Sequence, residues 1–185
     1  MLFKVGLSMQ KIKLIGLMLC FLFAGVITAR IFFITDSSDI EATNIVYDTL
    51  PSITAFNLHS EVVNLSEDLN SGKINVIFVY SLGCNSCISA ANKWAEIYAL
   101  KKNEINFLGL AYSSDREKVR SFVQSFKLDF KHRLIDQHNA NKIQVNDWPT
   151  ILGVDRNNNV LFKFEGSMST DSLSSYLSSN IQMKK

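Results

Sequence analysis

The chain has 185 residues, 47% of them hydrophobic and 19% charged, with a formal net charge of +2. Four of its 19 basic residues, Lys4, Lys11, Lys13 and Arg30, crowd the N-terminal end, so the remainder is close to neutral. No basic patch marks a nucleic-acid surface, and with the N-terminal segment set aside about 150 residues are left, the size of one domain with its own core.

Leu14 to Ala29 is an unbroken run of apolar and small residues, preceded by three lysines and followed by Arg30 and the apolar "IFFI". If Arg30 snorkels, about 20 residues reach across the ~30 Å hydrocarbon layer, so residues 1–35 are expected to form one N-terminal transmembrane helix. The lysines keep the N-terminus in the cytoplasm, while the acidic stretch Asp36, Asp39 and Glu41 is exported. This arrangement makes a single-pass protein of the cytoplasmic (inner) membrane with its main domain outside, in the periplasm or its equivalent. A signal peptide cleaved after Ala29 is the competing reading; the apolar character that resumes at Ile31 favours the anchor. "LMLC" before and at Cys20 lacks the small residue that precedes a lipidated cysteine, which leaves Cys20 a lipid-facing or helix-packing role. Residues 36–50 show neither sustained periodicity nor low complexity and read as a linker.

From Pro51 the elements alternate, so residues 51–185 form the domain. "SITAFNL" is a short strand, "NLSEDL" a capped helical turn beginning at Asn64 or Ser66, and Gly72 a turn before the buried run "INVIFVY". Ser86 to Lys102 then carries Ile88, Ala91, Trp94, Ala95, Tyr98 and Ala99 at helical spacing. "INFLGLAY" is a second buried strand and "SSDREKVRSFVQSF" a helix with a serine cap and an acidic first turn. "FKHRLI" reads as an edge or connecting segment, and "DQHNANK" as a surface loop. "WPTILGV" and "VLFKFEG" flank "DRNNN", a hairpin turn, and "STDSLSSYLSSN" closes the chain as an amphipathic helix. This order argues for an α/β fold with a central mixed sheet flanked by helices.

"YSLGCNSC", Tyr80 to Cys87, places two cysteines where a strand hands over to a helix. A zinc knuckle needs four ligands, and His59, His132 and His138 are scattered and unpaired, so no metal is expected. A structural disulfide across two residues removes little chain entropy from the unfolded state. The position offers reactivity instead. Cys84 at a helix N-terminus gains unpaired amides and the positive end of the dipole, which stabilise a thiolate. Cys87, one turn in, is shielded yet within reach, as a resolving thiol must be. Asn85 and Ser86 are cap-like residues between them.

With "GKINVIFVYSLGCNSC", "FLGLAYSSDREKVRSFVQSF" and "IQVNDWPTILGVDRNNNVLFKFEG" in view, Ile53 to about Asn180 resembles the membrane-anchored thioredoxin-like proteins of the TlpA/ResA type, extracytoplasmic thiol-disulfide oxidoreductases. The resemblance implies a thioredoxin-like fold and a redox-active Cys84–Cys87 disulfide in place of any cofactor. Its implied partners are protein thiol and disulfide substrates and a membrane electron-transfer partner. It matches Pro149 to a cis-proline facing the dithiol, where neighbouring backbone pairs with the substrate. Trp148, just before it, is expected either over the sulfurs or as an apolar platform for substrate.

The departures from that family also carry expectations. Gly83 and Leu82 stand where the family usually has an aromatic and a small polar residue, so the lip of the site should be barer. Phe78 stands where thioredoxins often keep a buried carboxylate, and Ala90 where many cytochrome-maturation reductases carry a glutamate; no general base is evident for Cys87. Trp94 is expected in the core. Two other functions compete with exchange on proteins, reduction being favoured over oxidation. A thiol peroxidase of the same superfamily would need a proline and threonine motif absent from "LGCNSC". A thioredoxin-fold copper chaperone would need wider cysteine spacing and a histidine better placed than His138.

Overall fold

The computed structural model describes residues 49–69, 72–166 and 169–182. The expected anchor, residues 1–35, Cys20 and most of the linker lie outside the described residues. No helix among the described residues is long and apolar enough to cross a membrane.

The described chain opens with a short antiparallel hairpin, β1 (Thr54–Phe56) and β2 (Val62–Asn64), and a 3-10 turn over Leu65–Glu67. There follow β3 (Ile74–Ser81), α1 (Asn85–Lys101), β4 (Ile105–Tyr112), α2 (Arg116–Ser125), β5 (Lys131–Ile135) and α3 (Gln137–Lys142). β6 (Thr150–Val154), β7 (Val160–Glu165) and α4 (Thr170–Gln182) complete it. The strands form one mixed sheet in the order β2-β1-β5-β4-β3-β6-β7, with β3, β4 and β5 parallel and the other pairings antiparallel.

β3 and β4 are central because they are apolar on both faces, the pattern of a parallel strand covered on both sides. Alternation divides their side chains between two cores. Val76, Phe78 and Tyr80 face a cluster built with α1, α2 and α4, while Ile77 and Val79 face a second one built with α3 and the segment around Ile53 and Leu65. Trp94 is buried in the first cluster, its ring 4.8 Å from that of Phe78. Leu173 and Leu177, one turn apart on α4, seal the same face. The fold thus has the thioredoxin-like layering expected of it.

Four local expectations need correction. "FKHRLI" is not an edge: the β1–β2 hairpin extends the sheet beyond it, so β5 is an interior strand between β1 and β4. β2 itself was unforeseen, having three residues, with Val62 exposed. "DQHNANK" holds the helix α3, started by the Asp136 carboxylate accepting the Asn139 amide at 2.9 Å and anchored by buried Ala140. The cap of α2 is Asp115, accepting from the Lys118 amide at 3.1 Å, while Ser113 accepts from the Asp115 amide one step earlier. Thr49 and Leu50 also join the fold, Thr49 bridging to Asn159 and Leu50 packing into the second core.

Candidate active site

The apolar run of β3 ends at Ser81, and two residues later the chain turns into α1. The N-cap of that helix is Cys84 itself, not Asn85 or Ser86: its extended backbone lets the sulfur accept the Cys87 amide at 3.0 Å, while its carbonyl accepts the Ile88 amide at 3.1 Å. A cap normally supplied by a side-chain oxygen is here supplied by the Cys84 sulfur. The Ser86 hydroxyl lies 3.0 Å from the same sulfur. Cys84 is partly exposed and Cys87 fully buried, both as free thiols.

The two thiols are driven apart in acidity. Partial burial opposes ionisation of Cys84, but hydrogen bonds from the Cys87 thiol, the Ser86 hydroxyl and the Cys87 and Ser86 amides outweigh it and hold its pKa below the ordinary thiol value. Burial pushes Cys87 up to about 12, reinforced by its bond to the Cys84 sulfur and only partly offset by the Ser81 amide. The outer sulfur is therefore the more acidic of the two, and the inner one is held as the thiol.

The other predicted site residues arrive from the far end of the chain. The Trp148–Pro149 peptide is cis, and Pro149 is buried at the entrance to β6. Ser86 donates its hydroxyl to the Trp148 carbonyl at 2.9 Å, which ties this loop to the start of α1. Thr150 bonds back to the Asp147 carbonyl at 2.7 Å, closing the loop from its other end. The half-buried indole of Trp148 stacks on Tyr112 at 5.4 Å, so its ring is held by an aromatic neighbour at the end of β4 that sequence reading did not single out.

The lip is bare, as expected: a Cβ placed on Gly83 meets nothing within 4 Å. Beside Gly83 a groove of about 980 Å³ runs over the ends of β3, β4 and β5, lined by Phe56, Leu82, Tyr112, Leu134 and Ile135. It lies outside the carboxyl ends of parallel strands, where α/β folds bind their ligands. Its rim carries charges of both signs, Asp115, Arg116, Lys118 and Asp136.

Phe78 and Ala90 are buried in apolar surroundings, so neither position supplies a proton acceptor. One histidine departs from the sequence reading, because His132 is buried and partnered: its Nδ1 lies 2.9 Å from the Tyr80 hydroxyl. His138 is exposed on α3. No three His, Cys, Asp or Glu residues converge as metal ligands among the described residues.

Known structures share this fold. No curated protein is significantly similar in sequence, but solved structures share the fold. A secreted disulfide oxidoreductase of Mycobacterium tuberculosis, homologous to Escherichia coli DsbE, superposes with a TM-score of 0.59 at 21% identity, over 68% of this chain and 94% of that one. DsbF of M. tuberculosis gives 0.59 at 22% identity, over 68% and 92%. A thiol:disulfide interchange protein from Bacteroides sp. gives 0.63 at 17%, over 75% and 91%. The model of the redoxin family matches residues 45–179, the whole span from before β1 into α4. The chain belongs to the redoxin family.

Proposed function

We propose that the protein exchanges disulfides with protein clients through Cys84 and Cys87, in the reducing direction, from a position outside the cytoplasmic membrane. The Cys84 thiolate attacks one sulfur of a client disulfide, the S–S bond breaks, and the electron pair leaves with the client's other sulfur. Cys87 then loses its proton and attacks Cys84, releasing the reduced client and leaving the Cys84–Cys87 disulfide. The observation that carries this reading is the Cys84 sulfur acting as the cap of α1, with the Cys87 amide at 3.0 Å. Nothing else in the described chain joins a stabilised thiolate to a second thiol in hydrogen-bonding reach.

The groove beside Gly83 suits a client segment flanking its cysteine, with Tyr112 as an apolar wall and the loop of Trp148 and Pro149 closing the other side of the sulfur. The reducing direction and the need for a membrane partner that resupplies electrons rest on the resemblance to TlpA/ResA-type proteins. The position outside the membrane rests on the lysine-flanked apolar run of residues 14–29. A reporter fused after Lys185 that works only outside the cytoplasm supports that topology, and one that works only inside overturns it.

Trapping tests the chemistry. In Cys87→Ser the attacker survives but its mixed disulfides have no internal resolver, so clients accumulate covalently on Cys84; Cys84→Ser accumulates far fewer. Equal trapping by both variants defeats the assignment. The reduction potential of the couple tests direction, since values near about −270 mV belong to reductants and near about −120 mV to oxidants.

A further inference from the structure

The last turn of β7 carries an ion pair that the sheet itself does not call for. Phe162 and Phe164 face the first core, so Lys163 and Glu165 point to the other side, opposite Leu152 and Thr150 of β6. The Lys163 side chain is 4% exposed and that of Glu165 10%, and Nζ lies 2.8 Å from Oε1. Taking two charges out of water is costly, and a well-packed apolar pair of similar volume is often as stable or more so. Packing therefore gives no reason for charges here. Their hydrogen bonds do, because they reach the segment between α3 and β6 that carries Trp148 and Pro149.

Lys163 Nζ donates to the Gln144 carbonyl, just past α3, where the backbone turns through a left-handed residue with φ of 51° at Gln144 itself. A residue other than glycine holds that conformation only where its surroundings impose it. The Glu165 carboxylate accepts the Asn146 amide at 3.0 Å and the Asn146 side-chain nitrogen at 3.2 and 3.3 Å. Burial opposes ionisation of Glu165, but the bonds from Lys163 and Asn146 outweigh it and hold the carboxyl below its ordinary range. The next residue, Gly166, donates its amide to the Pro149 carbonyl at 2.8 Å. The loop is thus gripped from β7 on both sides of Trp148. Its remaining side meets the dithiol, since the Trp148 carbonyl and the Cys84 sulfur lie 2.9 and 3.0 Å from one Ser86 hydroxyl oxygen.

We propose that the buried Lys163–Glu165 pair positions the proline loop for polypeptide clients, fixing the wall against which a client segment is ordered while Cys84 attacks its disulfide. This inference rests on the dithiol mechanism above. A polypeptide disulfide can meet Cys84 in many orientations, and few of them bring its S–S bond into line with the attacking sulfur. Contact with a loop held in one place selects those few. A small aromatic disulfide reaches the exposed sulfur without such a wall. The pair makes no hydrogen bond to Cys84, Ser86 or Cys87, so the acidity of the two thiols does not depend on it. Asn146 is exposed, so water can replace Glu165 at its amide, and loss of the pair loosens the loop without stranding a buried polar group. Lys163 and Glu165 are thus positioning residues that act through Gln144, Asn146 and the Trp148 peptide.

The test uses the full-length reduced protein carrying Cys20→Ser and two substrates. One is dithiobis-nitrobenzoate. The other is a cysteine peptide held as its mixed disulfide with nitrothiobenzoate: Cys84 attacks the peptide sulfur, the S–S bond breaks, and the electron pair leaves on the nitrothiobenzoate, whose release is followed in stopped flow. Lys163→Met combined with Glu165→Leu replaces both charges by apolar groups. This variant should unfold in urea at or above the parental midpoint and react with the small disulfide at the parental rate, yet react with the peptide at least about tenfold more slowly. Lys163→Met combined with Glu165→Gln returns an acceptor to the Asn146 amide without the charges and should recover most of the peptide rate. A parental peptide rate in the apolar variant overturns the proposal, as does an equal loss on both substrates or a loss that glutamine does not recover. Lys163→Met alone, which keeps Glu165 on Asn146 and releases only Gln144, should slow the peptide about two- to tenfold, the worth of one hydrogen bond. It decides alone if the double variants do not fold, a parental peptide rate again overturning the proposal. Parental rates on either substrate in Cys84→Ser would instead defeat the dithiol mechanism.

Discussion

The Ser86 hydroxyl donates to the Trp148 carbonyl at 2.9 Å and lies 3.0 Å from the Cys84 sulfur, so one side chain joins the proline loop to the nucleophile. The hydroxyl has one proton and two candidate acceptors. While Cys84 is a thiol it can donate to Ser86 Oγ, which then donates onward to Trp148. Once Cys84 is a thiolate, the two acceptors compete for the single hydroxyl hydrogen. Ionisation of the nucleophile and the hold on the loop are coupled through this contact.

Ser86→Ala should therefore slow alkylation of Cys84 at neutral pH by about two- to tenfold, the worth of one lost hydrogen bond to an ionised group. The rate profile should shift to higher pH, because a donor that favours the charged form is gone. Alkylation followed against pH by mass spectrometry, with Cys84 and Cys87 resolved, checks both the size and the sign.

Gly83→Leu should separate chemistry from client docking. The space around Gly83 is open and its backbone is unstrained, so stability should change by no more than about 0.5 kcal/mol. Attack on a small aromatic disulfide should proceed at the parental rate. Attack on client proteins should fall about tenfold or more, because the new side chain stands in the mouth of the groove beside the sulfur. Equal losses on both substrates would show that the groove does not receive the client.

Much of this site was legible because its signals are local. An apolar run, two cysteines three positions apart and a helical period lie within about 25 consecutive residues, and each constrains its neighbours. The proline loop was legible only through resemblance. What escaped was pairing across the fold: Ser86 to Trp148 spans 62 positions and Tyr80 to His132 spans 52. No period or spacing announces such contacts, which follow from the register of β6 on β3 in the first case and of β3 and β5 on β4 in the second. Two faint marks were present in hindsight of the geometry, a hydroxyl ring in the otherwise apolar "INVIFVY" and a glycine inside the buried "INFLGLAY". β5 was misplaced for a similar reason. Its short alternating pattern fits an edge or an interior strand equally, and only the β1–β2 hairpin decides between them.

The glycine gives a stability test of the Tyr80–His132 arrangement. Gly109→Ala should cost about 1–3 kcal/mol in urea unfolding, since its Cβ would overlap an imidazole ring walled in by other rings. Combined with His132→Ala, which removes the obstructing ring, part of that cost should be relieved, so the double variant should be more stable than the sum of the singles implies. Strict additivity would place the clash elsewhere.

Acid should weaken the fold through His132 before it does so through the carboxylates. Burial is the main cause that lowers the His132 pKa from 6.5 to about 4, with Arg133 adding to it and the Leu128 carbonyl opposing it. The unfolded chain therefore binds a proton that the folded chain refuses. The sign follows directly: the stabilisation is complete above about pH 6.5, falls as pH drops through the window down to about 4, and amounts to about 3 kcal/mol across it. Asp115 and Asp136 do not confuse this window, because the Lys118 and Asn139 amides hold their carboxyls below the ordinary carboxylate range. Urea midpoints measured at pH 7 and 4.5 should differ clearly in the parent. His132→Gln, which keeps a neutral donor and acceptor in the same place, should flatten that dependence while leaving a folded protein at pH 7. A pH dependence of parental size in the variant would show that the acid sensitivity arises elsewhere in the chain.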